Sequence, residues 1–198
     1  MKKGTALVTG SEGYIGAVLS PMLVGLGYSV TGCDTGFYSE TRFAPANWTG
    51  KRVKKDIRDI SASDLSGIDA IIHLAALSND PLGELAEELT EEINFRATVR
   101  LAILAKRCGV RRFVYSSSQS MYGISVTDAE LDEDTSEKNP ITAYARTKWK
   151  AECDLKKLAD DSFTVVCLRP STVFGRSPAL RSDIVFNNLL ASAYTTGK

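Results

Sequence analysis

Tyr144 and Lys148 stand four residues apart in the stretch YARTK. Side chains at that spacing lie on one face of a helix. A tyrosine with its ordinary pKa of about 10 is a poor base at neutral pH. A neighbouring ammonium favours the phenolate and draws that pKa towards the working range, so a Tyr–Lys pair can move a proton. In a chain with seven tyrosines such a pair also arises by chance, as two residues that merely share a helix face. What else the chain carries, and in what order, has to decide between the two.

A second group of residues suits a dinucleotide. The stretch VTGSEGYIG has glycines at 10, 13 and 16, after an apolar run and before a helical pattern. Gly10 permits a tight turn, Gly13 lets a diphosphate approach the backbone, and Gly16 lets helix pack on strand. The helix N-terminus then presents free N–H groups and a partial positive charge to the phosphates. Glycine-rich turns are common, but the strand–loop–helix context is what the dinucleotide motif requires. Asp34 ends the next apolar run, where a carboxylate accepts hydrogen bonds from the adenosine ribose hydroxyls and repels a 2′-phosphate. No arginine or lysine follows within the next seven residues, which favours NAD over NADP. The alternative for Asp34 is a loop aspartate that caps a turn.

The elements that must position these residues alternate along the chain. Strands are expected at 5–9, 28–33, 51–55, 69–74, 112–117 and 163–168. All but the third, KRVKK, are largely apolar, as strands covered on both faces should be. A first helix carries Ile15, Val18, Leu19, Met22 and Leu26 at helical spacing, with Pro21 placed to kink it. A long second helix should present Leu85, Leu89, Ile93, Ala97, Leu101 and Leu104 on one face, with Gly109 capping its end. A third is expected from about Ala143 to Ala159. Such alternation gives an α/β fold, a doubly wound parallel sheet with helices on both faces. The acidic run DAELDEDTSEK (128–138) reads as a solvated loop that could rim the site.

Composition sets limits. The 198 residues hold 43% hydrophobic and 24% charged side chains, as in an ordinary globular domain. Equal numbers of basic and acidic residues give no electrostatic reason to expect nucleic acid or an anionic membrane. No apolar run approaches the length of a membrane span, and MKKGTALVTG is too short in its apolar part for a signal peptide. The four cysteines lie far apart without a C-x-x-C pair, which suits small buried hydrophobes in a reducing cytoplasm. The single histidine, His73, excludes a multi-histidine metal site, disfavours a Ser-His-Asp hydrolase, and is expected to be structural. Acid–base work then falls to tyrosine, lysine or carboxylates.

Taken in order, TGSEGYIG (9–16), Asp34, DIRD (56–59), HLAAL (73–77), Asn94, SSSQSMYG (116–123), YARTK (144–148) and LRPSTVFG (168–175) resemble the extended short-chain dehydrogenase/reductases. Within that superfamily the pattern is similar to the nucleotide-sugar epimerases and dehydratases, UDP-glucose 4-epimerase among them. The resemblance implies a Rossmann domain over residues 1–169, with about six strands, and the start of a smaller sugar-nucleotide-binding region over 170–198. It implies an NAD site built from Gly10, Gly13, Tyr14, Ile15, Gly16, Asp34, Leu74, Asn94 and Pro170, together with the dyad itself. Asp56 and Ile57 would hold the adenine, Asp56 through its carboxylate and Ile57 through its amide, while Ala75 and Ala76 would line the ribose. Ser118 would align the substrate hydroxyl with Tyr144 as catalytic base, and Lys148 would hold both the tyrosine and the nicotinamide ribose. On this reading YARTK is the catalytic dyad. A homodimer is implied for a full-length form.

Departures from the family pattern narrow the reaction. The dehydratases carry Asp-Glu immediately after the serine or threonine, whereas Gln119 and Ser120 stand here and cannot act as carboxylate acid or base. The cysteine and histidine of a 3,5-epimerase-reductase have no evident counterparts. The expectation is therefore C4 epimerisation or simple oxidoreduction at a ring carbon, with 4,6-dehydration, ketoreduction or a non-catalytic NAD-binding module as alternatives. LSNDP (77–81) could add to the sugar site. Arg176, Arg181 and the Asn187–Asn188 pair could meet a substrate diphosphate, or serve as surface charge and helix caps. Family members continue for another hundred residues or more, so the chain is expected to be truncated, with Ile184, Val185, Phe186, Leu189 and Leu190 lacking a partner.

Overall fold

β-Branched and apolar runs become six parallel strands in the computed structural model, which describes residues 3–45, 48–78, 80–124 and 130–197, apart from the side chains of 80–82. The strands are β1 Thr5–Thr9, β2 Ser29–Asp34, β3 Lys51–Lys54, β4 Ala70–His73, β5 Arg112–Ser116 and β6 Thr164–Leu168. They lie in the order β3-β2-β1-β4-β5-β6, with every pairing parallel. The order reverses between β1 and β4, and open α/β sheets bind ligands outside the strand ends at such a switch point. The loops after β1 and β4 meet there.

Small residues, and not the expected apolar stripe, dock the first helix. In α1 (Gly16–Gly25) the buried residues are Gly16, Ala17 and Ser20, while Met22 and Leu26 are more than half exposed. Ile15, Val18, Leu19 and Met22 instead line an open groove of about 230 Å³ against Val173 and Phe174. A helix seated this close to a sheet leaves no room for branched side chains on its inner face; a Cβ at Gly16 would overlap the Gly10 carbonyl oxygen. The helix runs on through Pro21 to Gly25.

The long second helix is a broken one. It comprises α2 (Asp80–Leu85), α3 (Glu87–Thr90), a π-helical stretch (Glu91–Ala97) and α4 (Thr98–Arg107). Ala86, with φ −141° and ψ 61°, interrupts it, and the wider π turns shift the register that follows. As a result Leu85 is 85% exposed, whereas Ala97 and Leu101 sit in the core. Gly109 ends α4 with φ +79°, and Val110 N–H donates to Ala105 O at 3.0 Å, a Schellman-type cap. α5 (Ala143–Leu158) begins at Thr142, whose hydroxyl accepts from Ala145 N–H at 3.1 Å.

The core gathers β1, β4 and β5 residues such as Leu7, Ile71, Phe113 and Tyr115 against α4 and α5. The edge strand β6 departs from the expectation of cover on both faces, because Val166 and Leu168 are 41% and 53% exposed. α6 (Val185–Thr196) likewise leaves Val185, Leu189 and Leu190 exposed, and Phe186 meets Phe174 at 4.4 Å between ring centroids. Among the described residues no helix is long and apolar enough to cross a membrane.

Candidate active site

The residues expected to act sit on rigid supports around the switch point. Gly10 leaves β1 with φ +69°, and a Cβ on it would come within 2.8 Å of Ala75 N. Gly10 and Gly16 are therefore glycines because the protein's own backbone demands it. Gly13 differs: an added Cβ would meet only Gly10 O, at 3.4 Å, and the residue is exposed. Its missing side chain leaves space on the outer side of the loop, where a diphosphate would lie. Asp34 closes β2, half-buried, and its carboxylate accepts from Glu12 N–H at 3.0 Å and Gly36 N–H at 2.9 Å. Phosphate loop and ribose acid are thus one hydrogen-bonded unit, and these residues fit a dinucleotide.

Other expected cofactor residues face the protein as well as the cleft. Both carboxylate oxygens of Asp56 meet the Arg58 fork, at 3.1 and 2.8 Å, and that hydrogen bonding lowers the Asp56 pKa. Ile57 is buried beside it. Leu74 N–H donates to Thr9 O at 3.1 Å, and Ala75 N–H reaches the Thr9 hydroxyl at 3.4 Å. Ala76 follows, half-buried. Asn94, on the π-helical stretch, spends both ends of its amide on Leu77, accepting from N–H at 2.8 Å and donating to O at 3.0 Å. It fixes the loop after β4. Of LSNDP, Asn79 lies outside the described residues, as do Asp128 and Ala129 of the acidic run; Glu130 to Asp134 are exposed.

His73 is fully buried. Its Nδ1 lies 2.7 Å from the Thr9 hydroxyl and its Nε2 2.9 Å from the Thr98 hydroxyl, so it ties β1, β4 and α4 together. Burial, helped by the nearby Lys148 charge, pushes its pKa down to about 3 and keeps it neutral. It is structural, as expected.

Ser118 follows β5, and Tyr144 and Lys148 stand on α5, whose Lys148 reaches back to the end of β5. Ser118 follows the end of β5 and caps a 3-10 turn (Gln119–Tyr122); its hydroxyl donates to Ser120 Oγ at 3.0 Å and accepts from Ser120 N–H at 3.1 Å. Lys148 is 3% exposed, and its Nζ donates to Ser116 O at 2.7 Å. The ammonium lies 4.8 Å from the Tyr115 ring centroid and 5.6 Å from that of Tyr144. Burial pushes its pKa down to about 7. Tyr144 itself is half-exposed at the front of the pair. In its protonated form Lys148 lies close enough to the Tyr144 ring to favour a phenolate there.

Behind the serine loop lies a polar network that the motifs did not reveal. Glu152, with no exposed surface, accepts from the Ser117 hydroxyl at 2.7 Å and from Arg169 Nη2 at 2.6 Å. Arg169 Nη1 donates to the Tyr122 hydroxyl at 2.6 Å, and Gln119 N–H donates to Pro170 O at 3.3 Å. Burial alone would raise the Glu152 carboxyl, but hydrogen bonds from Arg169, Lys156 and Ser117 outweigh it and hold the pKa below its usual range. The one signal in the sequence was spacing, since Glu152 falls four residues after Lys148 on the same helix face.

The C-terminal polar residues bond one another. Asn187 is 9% exposed; its amide donates to the Tyr14 hydroxyl at 3.1 Å and Arg181 O at 2.9 Å, and accepts from Gly175 N–H at 3.1 Å. Tyr14 in turn donates to Gly175 O at 2.7 Å. Arg181 closes its fork on Asp183, at 3.1 and 2.5 Å, and reaches the Ser78 hydroxyl at 3.3 Å. Asn188 donates to Ser182 O at 3.2 Å. A cation does stand just beyond the seven residues that follow Asp34: Arg42 folds back to donate to Glu12 O at 2.6 Å.

A six-stranded parallel Rossmann sheet with a glycine phosphate loop, a ribose carboxylate and a Ser–Tyr–Lys constellation defines a dinucleotide-dependent member of the short-chain dehydrogenase/reductase class. The family model described as "NAD dependent epimerase/dehydratase family" matches residues 6–197, and the chain belongs to that family, whose cofactor is NAD. A 3-beta-hydroxysteroid dehydrogenase from Mycolicibacterium neoaurum is 32% identical over 204 residues, covering 95% of this chain and 52% of that protein. A UDP-glucose 4-epimerase from Mycolicibacterium smegmatis is 30% identical over 206 residues, covering 96% and 64%. The solved structure of TunA, an NAD-dependent NDP-hexosamine 5,6-dehydratase involved in tunicamycin biosynthesis, superposes with a TM-score of 0.85 at 26% identity, covering 98% and 62%. The chain thus spans about half to two thirds of the length of these relatives.

Proposed function

We propose that the chain is the cofactor-binding part of a nucleotide-sugar 4-epimerase, with residues 1–169 as the NAD domain and 170–198 as the beginning of the substrate region. The observation that supports this reading is the buried Lys148, bonded to Ser116 O at the end of β5 and 5.6 Å from the Tyr144 ring, with Gln119 and Ser120 in place of carboxylates after Ser118. Bound NAD supplies a hydride acceptor that becomes a donor. Gly10, Gly13, Tyr14, Ile15 and Gly16 hold its diphosphate, and Asp34 its adenosine ribose. Asp56 and Ile57 meet the adenine, Leu74, Ala75, Ala76 and Pro170 line the cleft, and Asn94 acts through the loop it fixes. Ser118 orients the C4 hydroxyl of the sugar towards Tyr144. Tyr144 would take the hydroxyl proton as C4 is oxidised to a ketone and would return it as that ketone is reduced from the other face. Lys148 stabilises the phenolate and holds the nicotinamide ribose. Ser120, whose hydroxyl meets that of Ser118, is no base for a proton at C5. Arg181 and Asn187 are the substrate-facing residues of this reading, once their internal bonds are exchanged for a diphosphate. The whole protein is expected to be a cytoplasmic homodimer; the free thiols among the described residues accord with a reducing compartment.

The experiment is to incubate the whole protein and NAD with UDP-, GDP-, CDP- and dTDP-sugars in deuterium oxide and to follow the products by NMR. A C4 epimer without deuterium at C5 is expected. A 4-keto-6-deoxy product with deuterium at C5 would establish dehydration instead. Likeness to the steroid dehydrogenase supports a second reading, net oxidation of a secondary alcohol, and steady accumulation of NADH with substrate would establish that one.

A further inference from the structure

Three bonds hold the short stretch of chain that presents Ser118. Lys148 Nζ donates to Ser116 O at 2.7 Å, the Ser117 hydroxyl donates to Glu152 Oε2 at 2.7 Å, and Gln119 N–H donates to Pro170 O at 3.3 Å. Lys148 and Glu152 lie one turn apart on α5, and Pro170 follows Arg169, whose Nη2 donates to Glu152 Oε1 at 2.6 Å. The Arg169 guanidinium also donates to the Tyr122 hydroxyl at 2.6 Å and to Glu133 O at 2.5 Å. One ion pair therefore grips the chain on both sides of Ser118, at Ser117 through Glu152 and at Tyr122 through Arg169. Glu152 has none of its side chain exposed and Arg169 only 7%.

We propose that the buried Glu152–Arg169 pair, acting through Ser117, positions Ser118 for the substrate hydroxyl. The inference rests on the proposed function, in which Ser118 orients that hydroxyl. A buried ion pair is a poor source of stability, because desolvation of both charges offsets their attraction and apolar side chains of similar volume often serve as well. What this pair supplies is direction. The carboxylate is fixed by Arg169, by Lys156 at 2.9 Å and by Ser117, so the buried Ser117 hydroxyl has a rigid acceptor. Ser117 and Ser118 share one planar peptide, and a shift of the first carries the second with it. Glu152, Arg169 and Ser117 are thus positioning residues that act without touching substrate.

The test compares wild type, Ser117→Ala, Ser118→Ala and the double variant of the whole protein, with circular dichroism as the folding control. The substrate is whichever of the UDP-, GDP-, CDP- and dTDP-sugars the wild type turns over. Ser117→Ala should lower kcat by about tenfold or more, as a small misplacement at a reacting centre does, with KM and NAD affinity unchanged. In the Ser118→Ala background the same change should cost less than about twofold, because its effect passes through Ser118. Crystal structures supply a readout besides activity: Ser118 should keep its bond to Ser120 in wild type and leave it in Ser117→Ala. Ser117→Cys, which keeps a weak donor, should lose less and serves if Ser117→Ala does not fold. An unmoved Ser118, an unchanged kcat, or a loss equally large without Ser118 would overturn the proposal and leave the pair as a strut. A wild type that turned over none of these sugars would sink the proposed function, and the crystallographic comparison would still decide whether the pair positions Ser118.

Discussion

Lys148 should cost the fold stability at neutral pH, and the cost can be measured. Its ammonium is 3% exposed, and burial lowers its pKa from 10.5 to about 7. Between those values the unfolded chain holds a proton that the native chain has released, so stability rises with pH across that window. Below about pH 7 both states are protonated and the full penalty stands. A pKa difference of one between the two states corresponds to about 1.4 kcal/mol, so the upper limit of the penalty is about 5 kcal/mol. Lys148→Met keeps the volume and removes the charge, but leaves Ser116 O without its 2.7 Å donor, which returns about 1–3 kcal/mol. The variant should therefore be more stable than wild type at pH 7, by about 2 kcal/mol. Between pH 7 and pH 9 the wild type should recover about 2 kcal/mol relative to the variant, because the folded lysine has discharged while the unfolded one has not. Urea denaturation of both proteins at the two pH values reads the difference, and titrating groups that do not sense Lys148 cancel. Parallel pH profiles would show that Lys148 is not held in a desolvated site.

Glu152→Ala should lower stability by about 3–5 kcal/mol, since it strands the buried Arg169 guanidinium, and denaturant midpoints check it. Gly16→Ala should either prevent folding or displace α1, because the added methyl overlaps Gly10 O; thermal melts with and without NAD would show both effects. In the active whole protein, Tyr144→Phe should leave NAD affinity nearly unchanged and cut turnover by about 10²-fold or more, as loss of a general base does. Wild-type turnover from that variant would exclude Tyr144 as the base.

The central strands were legible because a parallel sheet buried on both faces demands unbroken apolar runs, and TALVT is hard to place otherwise. The dyad was legible because four-residue spacing on a helix is a geometric fact, and α5 presents it so. Hydrophobic periodicity failed where tertiary contacts override it. Leu85 and Leu89 keep the helical spacing of Ala97 and Leu101, yet the break at Ala86 and the π turns point them to solvent. In α1 the stripe was real, but close docking selected Gly16, Ala17 and Ser20 for the inner face. Polar residues were the hardest to place, because composition does not say whether an amide will meet a ligand or its own backbone. Asn94 and Asn187 meet backbone, and Arg42 crosses from one loop to another, a path that no spacing encodes.

Charge is distributed unevenly between the two ends of the cleft, and this bears on what each end can bind. At the cofactor end, Lys148 Nζ donates to Ser116 O and lies in a site dry enough to depress its pKa. Arg42 keeps a buried Nε without a partner among the described residues there. At the other end, Arg181 is closed on Asp183, and Asn187 is saturated by Tyr14, Arg181 and Gly175. On the proposed function, a diphosphate would recruit Asn187 only by displacing bonds already made, with rearrangement of the segment from Gly175 to Asn188. Cofactor binding needs no such exchange at Lys148. On that reading the two halves of the site differ in kind, the dinucleotide entering a prepared cleft and the sugar-nucleotide shaping its own.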